Sequence, residues 1–150
     1  MSFIKKKIIE KLNFSNVFDS DNEKSYNIAE IGINHNGDIN LAKELIMISS
    51  EIGFDCVKFQ KRVPELCVPE SKRNNLRMTP WGEMTYFDYK KKIELSKPDY
   101  DEIDSYCKKL KIDWTASAWD EESIDFITNY NVPFIKVPSD KCSDNNFIKY

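Results

Sequence analysis

From Tyr26 onward, short apolar runs alternate with stretches of helical spacing, and that alternation limits the folds open to this chain. The runs Tyr26 to Ile33, Cys56 to Phe59, Asp113 to Ala118 and Phe134 to Val137 read as strands, apolar on both faces in their middles. Helix signals lie between them. Asp38 is placed to cap a helix carrying Leu41, Leu45, Ile48 and Ile52, and Gly53 is placed to end it. Ser96 with Asp99 makes a capping-box variant ahead of helix 98–111, whose buried face is Ile103, Cys107 and Leu110. Asp120 caps a helix with Ile124, Phe126 and Ile127, and Asp144 opens another. The order β-α-β, long loop, α-β-α-β-α requires crossover connections, hence an α/β fold with a parallel sheet.

Two segments depart from this rhythm. Residues 1–24 are polar with scattered apolars, and residues 4–12 have spacing for a turn or two of helix; an N-terminal arm or a cap on the domain is expected. Residues 61–97 hold Pro64, Pro69, Pro80, Trp81, Gly82 and several other aromatics, with a short helix expected within Thr85 to Leu95. A long aromatic loop after a strand end reads as a lid or substrate wall, with a structural insertion packed by its own aromatics as the other option.

The net charge of −3 gives no electrostatic case for nucleic acid or an anionic membrane. The lysine runs at 5–7 and 90–92 have acidic neighbours and read as solvated helix faces. No apolar run is long enough to span a bilayer, and no apolar stretch follows the early lysines as in a secretory signal; a cytoplasmic setting is expected. Cys56, Cys67, Cys107 and Cys142 form no CxxC pair, and His35 is the single histidine, so a Cys/His zinc site is not expected and the thiols read as reduced.

The strand ends carry the chemistry. They bring Glu30 with Asn34, His35 and Asn36, then Lys58 with Gln60, then Ser117, then Lys136 with Ser139. In a parallel sheet with helical crossovers these ends converge on one face. Lys58 and Lys136 lie inside the apolar runs Val57-Lys58-Phe59 and Ile135-Lys136-Val137. A lysine drawn into apolar surroundings needs an anionic partner, and two at corresponding positions point to a bound phosphate or carboxylate. Glu30 is a candidate structural partner for one of them. His35, beside Gly37, reads as a hydrogen-bonded turn residue, with acid/base chemistry as the other option. Trp114 reads as core, and Trp119 as a neighbour of the site.

The strings AEIGINHNG, VKFQKR, TPWGEMTY, WTASAWD and VPFIKVPS, in this order, resemble the sialic acid synthase family: the N-acetylneuraminate, legionaminate and pseudaminate synthases. The resemblance runs from about Asn27 to Tyr150. It implies a (β/α)8 barrel of TIM type followed by a small antifreeze-like domain. Residues 25–150 would then be the N-terminal half of that barrel, about four βα units, with the C-terminal half and the antifreeze-like domain absent. The implied reaction condenses phosphoenolpyruvate with an open-chain N-acetylated amino sugar, typically N-acetylmannosamine, and releases phosphate. Lys58 and Lys136, helped by Ser117 and Ser139, would hold phosphoenolpyruvate; Gln60 would face the sugar; Glu30 would lie beside phosphoenolpyruvate in an acid/base role. The implied cofactor is Mn2+ or another divalent metal, held in the family by two histidines of the second half-barrel, so its ligands are not expected in this chain. The implied oligomer is a homodimer of the full-length enzyme, or a pairing with a complementary half. The alternative is an inactive fragment that acts only through such pairing.

Overall fold

The computed structural model describes residues 25–150. Expectations for residues 1–24, including the arm or cap, the helical turns at 4–12 and the lysines at 5–7, lie outside the described residues.

The chain is α/β, built on a parallel sheet of β1 (Ile28–Gly32), β2 (Cys56–Lys61) and β5 (Asp113–Ala118) in the order β1-β2-β5. Helix α1 (Ile39–Glu51) links β1 to β2, and helix α5 (Lys97–Leu110) leads into β5. Helix α6 (Glu121–Thr128) follows β5, and α7 (Asn145–Lys149) closes the described chain. No helix among the described residues is long and apolar enough to cross a membrane.

The caps read from sequence form as expected. The Asp38 carboxylate accepts from the N–H groups of Asn40 and Leu41. Ser96 and Asp99 make a reciprocal capping box, and Asp120 accepts from Ser123 N–H. Gly53 leaves α1 with φ +87, a left-handed value that glycine takes without penalty. The register of α1 differs from the reading of its spacing: Ala42, Ile46 and Ser49 are buried, while Ile48 and Ile52 are exposed. The small Ala42 lets the helix sit close on the sheet, which fixes the stripe around it.

The sheet is two-faced, not apolar on both sides. Val57 and Phe59 of β2 and Trp114, Ala116 and Ala118 of β5 join Tyr100, Ile103 and Cys107 of α5 and Ile127 of α6 in one core. Tyr100 anchors it, with its ring against those of Phe59, Trp114 and Phe126. The alternate positions, Glu30, Lys58, Gln60, Thr115 and Ser117, share the opposite face. At the N-terminal ends of the strands that face is filled by buried Cys56 and by Tyr26, which donates to Asp113 at 2.6 Å and meets Phe134 edge-on. The other end stays polar.

The fourth expected strand, 134–137, is reduced to a single parallel bridge between Ser117 and Lys136. Pro133 has no N–H to donate, and the Thr115 hydroxyl captures the Phe134 carbonyl that a longer ladder would use.

The 61–97 excursion is folded. Two short helices, α2 (Pro64–Cys67) and α3 (Glu70–Arg73), precede a hairpin of β3 (Leu76–Thr79) and β4 (Gly82–Thr85), then helix α4 (Tyr86–Ile93) capped by Thr85. Alternating Leu76-Arg77-Met78-Thr79 before Pro80-Trp81-Gly82 was the available sign of the hairpin.

Candidate functional site

At the C-terminal ends of β1, β2 and β5 the polar face becomes a row of interacting side chains. Register pairs Glu30 with Lys58 and Gln60 with Ser117. Lys58 forms an ion pair with Glu30 and its Nζ lies 3.3 Å from Ser117 Oγ. The Lys58 side chain is only 13% exposed while Glu30 is 52% exposed, so the cation is seated in the sheet and the carboxylate reaches toward solvent. Lys136 is half-buried, projects from the same face as its bridge partner Ser117, and has no carboxylate partner among the described residues.

The backbone makes room for this row. The β1–β2 ladder skips a residue between Glu30 and Gly32, a bulge that carries the chain out of the sheet. Gly32 sits there with φ +59, and a Cβ on it would stand 3.2 Å from Glu30 Oε1 and 3.5 Å from Gln60 Nε2. A glycine is favoured there by the left-handed backbone, and a Cβ would also press on the tip of the Glu30 side chain.

Gln60 is oriented from outside the sheet. Its Oε1 accepts from an Arg62 guanidinium nitrogen, which leaves Nε2 as the group turned toward Glu30 and Gly32. Arg62 is 3% exposed, pairs with Glu94 Oε1 at 2.8 Å through Nε, and lies over the Trp119 ring at 4.9 Å. Burial pushes the Glu94 carboxyl up to about 7, against the pull of Arg62 and Lys61. The positions of Arg62 and Glu94 were not singled out in sequence; a charged residue two positions after Gln60 continues the same strand face, and that periodicity was the signal available.

Ser139 is not drawn into the row. It opens a 3-10 turn at Ser139–Lys141, is exposed, and makes no hydrogen bond to Lys58, Ser117 or Lys136. His35 is a turn residue: it is buried, its Nδ1 accepts from Gly37 N–H at 3.0 Å, and it bonds the Gly32 backbone. Desolvation holds its pKa below the ordinary value, so it is neutral near pH 7. Lys90 is half-buried rather than solvated, and desolvation brings its ammonium down to about 8.

The NeuB family model matches residues 45–150, most of the chain. The chain belongs to the NeuB family. An N-acetylneuraminate-9-phosphate synthase of Drosophila melanogaster is 42% identical to this NeuB chain over 124 residues, covering 81% of the chain and 32% of the relative. An N,N'-diacetyllegionaminic acid synthase of Legionella pneumophila is 33% identical over 129 residues, covering 82% and 35%. The chain thus spans about a third of the length of the curated relatives it matches. A crystal structure described as N-acetylneuraminic acid (sialic acid) synthetase from Leptospira borgpetersenii, in complex with citrate, superposes with a TM-score of 0.70 at 22% identity, over 83% of this chain and 39% of that one, a likeness of fold.

A divalent metal fits poorly with what this NeuB chain offers. The described residues gather no group of three His, Cys, Asp or Glu side chains that could hold one. Glu30 is engaged with Lys58, and His35 is turned into the β1–α1 turn. No step below is routed through a metal.

Proposed function

We propose that this chain forms the phosphoenolpyruvate half of a synthase that condenses phosphoenolpyruvate with an N-acetylated amino sugar to give a nonulosonic acid, releasing phosphate. The observation that carries the reading is the cationic row at the strand ends. Lys58 is seated beside Ser117, and Lys136 projects from the adjoining position with no carboxylate partner among the described residues. Phosphoenolpyruvate brings a carboxylate and a phosphate, and two ammonium groups with a hydroxyl between them suit that charge pattern.

In this reading Lys58 and Lys136 bind the two anionic ends, and Ser117 donates to one of their oxygens. Glu30 keeps Lys58 fixed before substrate arrives. Once C3 has attacked the sugar aldehyde, whose oxygen takes a proton from solvent, the Glu30 carboxylate would accept a proton from the water that adds at C2. Loss of phosphate from that carbon leaves the ketone. Gln60, held by Arg62, turns an amide N–H toward the sugar side. The strand order β1-β2-β5 continued by the bridge at Lys136 supports residues 25–150 as successive units of a (β/α) barrel. The remaining strands, and the groups that finish the sugar site, would come from further sequence or a complementary chain.

Calorimetric titration of phosphoenolpyruvate into the chain tests this. Saturable binding that is lost in Lys58→Met is expected. Wild-type binding that Lys58→Met and Lys136→Met leave intact would remove the strand-end site from the reaction.

A further inference from the structure

The Gln60 carboxamide owes its orientation to residues that lie outside the strand-end row. Gln60 and Arg62 are two positions apart, so they continue the face that carries Lys58. A guanidinium has only donors, so the Gln60 atom that meets Arg62 is Oε1. Nε2 is left over Gly32, on the side of Glu30.

Arg62 is in turn fixed by Glu94, the residue that ends α4. One Glu94 oxygen lies 2.8 Å from Arg62 Nε. The other accepts from the Arg62 backbone N–H at 3.4 Å and pairs with Lys61 at 3.7 Å. Trp119 covers the guanidinium at 4.9 Å, and the Tyr100 hydroxyl donates to the Gln60 backbone carbonyl at 3.1 Å. The Arg62 side chain is 3% exposed and that of Glu94 11%. A guanidinium so far from water keeps its place through its anion. Without the charge on Glu94, Arg62 is drawn back toward solvent, and Gln60 loses the donor that holds its Oε1.

The charged and titratable groups facing Glu94 are Arg62 and Lys61 at the end of β2, Lys90 of α4 and Tyr100 of α5. Burial raises the Glu94 carboxyl to about 7 against the pull of the three cations, so both of its charge states are populated in the folded chain near neutral pH.

We propose that Glu94 is a positioning residue for the strand-end site, acting through Arg62 to fix which end of the Gln60 carboxamide faces the ligand. With Glu94 charged, the site offers an amide N–H and selects a hydrogen-bond acceptor. With Glu94 neutral, Arg62 is released and the carboxamide presents either end. That the selected acceptor belongs to the sugar rests on the condensation reading; the positioning itself does not.

The test follows the side-chain amide NMR signal of Gln60, identified by its loss in Gln60→Leu, across a pH titration of the full chain. A single step with its midpoint near 7 is expected. Glu94→Gln keeps the shape of the protonated acid and should abolish the step. Arg62→Lys keeps a cation beside Glu94 but lacks the fork that holds Glu94 and Gln60 together, and should lose most of it. Lys90→Gln leaves the buried pair in place and removes one cation facing Glu94, so it should move the midpoint to higher pH with the step intact. The charge of His35 also reaches Arg62, and a step due to His35 would survive Glu94→Gln. A step that survives Glu94→Gln, a full-sized step in Arg62→Lys, an unmoved midpoint in Lys90→Gln, or a wild-type signal that does not titrate would overturn the proposal. Phosphoenolpyruvate calorimetry on the same samples separates the readings. A Glu94-dependent step in a chain that does not bind phosphoenolpyruvate would keep the positioning and sink the condensation, and binding without the step would do the reverse.

Discussion

Glu30 and Lys58 face each other in register across β1 and β2, and their side chains close an ion pair on the polar face of the sheet. Because Glu30 is half exposed, the pair itself adds little stability, on the order of 1 kcal/mol or less. Lys58→Met should therefore leave the fold nearly as stable in urea while lowering phosphoenolpyruvate affinity by about tenfold or more. A variant that unfolded at much lower urea would assign Lys58 a structural role instead.

Two glycines should respond in different degrees. Gly32→Ala forces a side chain into left-handed backbone beside Glu30 and Gln60, at a cost of about 1–2 kcal/mol. Gly37→Ala adds a collision, because its Cβ would stand 2.3 Å from the Lys92 carbonyl oxygen. Its cost should reach about 2–4 kcal/mol once overpacking is included. Denaturant melts of both variants would check the ranking.

Arg62→Met leaves Glu94 buried with Lys61 and, at longer range, Lys90 as its remaining cations. Breaking a buried pair costs about 3–5 kcal/mol. The folded-state pKa of Glu94 is raised to about 7, so between about 4.5 and 7 the folded chain holds more protons than the unfolded one and this group's contribution falls as pH rises. Removing Arg62 steepens that fall. The destabilisation should therefore be larger at pH 8 than at pH 5.5 in paired urea melts.

His35 works in the opposite direction. Its pKa is lowered by burial, so as pH drops below the ordinary 6.5 the unfolded chain takes up a proton before the folded one does. Its contribution is present above pH 6.5 and is lost as pH falls toward the lowered folded value. His35→Asn, which keeps an acceptor for Gly37 N–H, should show a flatter decline of stability with acid. An identical slope in wild type and variant would mean that His35 is not buried neutral.

Local features were legible because they depend on neighbours in sequence. The Asp38, Ser96 and Asp120 caps and the span of β5 follow from side chains reaching their own backbone and from apolar spacing. Lys58 with Ser117 was legible for a related reason: an ammonium inside an apolar strand must find polar company, and parallel strands bring equivalent ends together. The two-faced sheet was harder, because Thr115, Ser117 and Cys56 are small enough to be read as core.

By itself the sequence determined the α/β order, the caps and the cationic character of the strand ends, since those are properties of short-range pattern and residue chemistry. Only the tertiary structure decided that Ser139 stands apart from the row, that Lys90 turns inward, and that Arg62 is held by Glu94 and Trp119 while orienting Gln60. Those outcomes depend on how the 61–97 excursion folds against the strand ends. That packing joins residues far apart in the chain, and no local spacing records it.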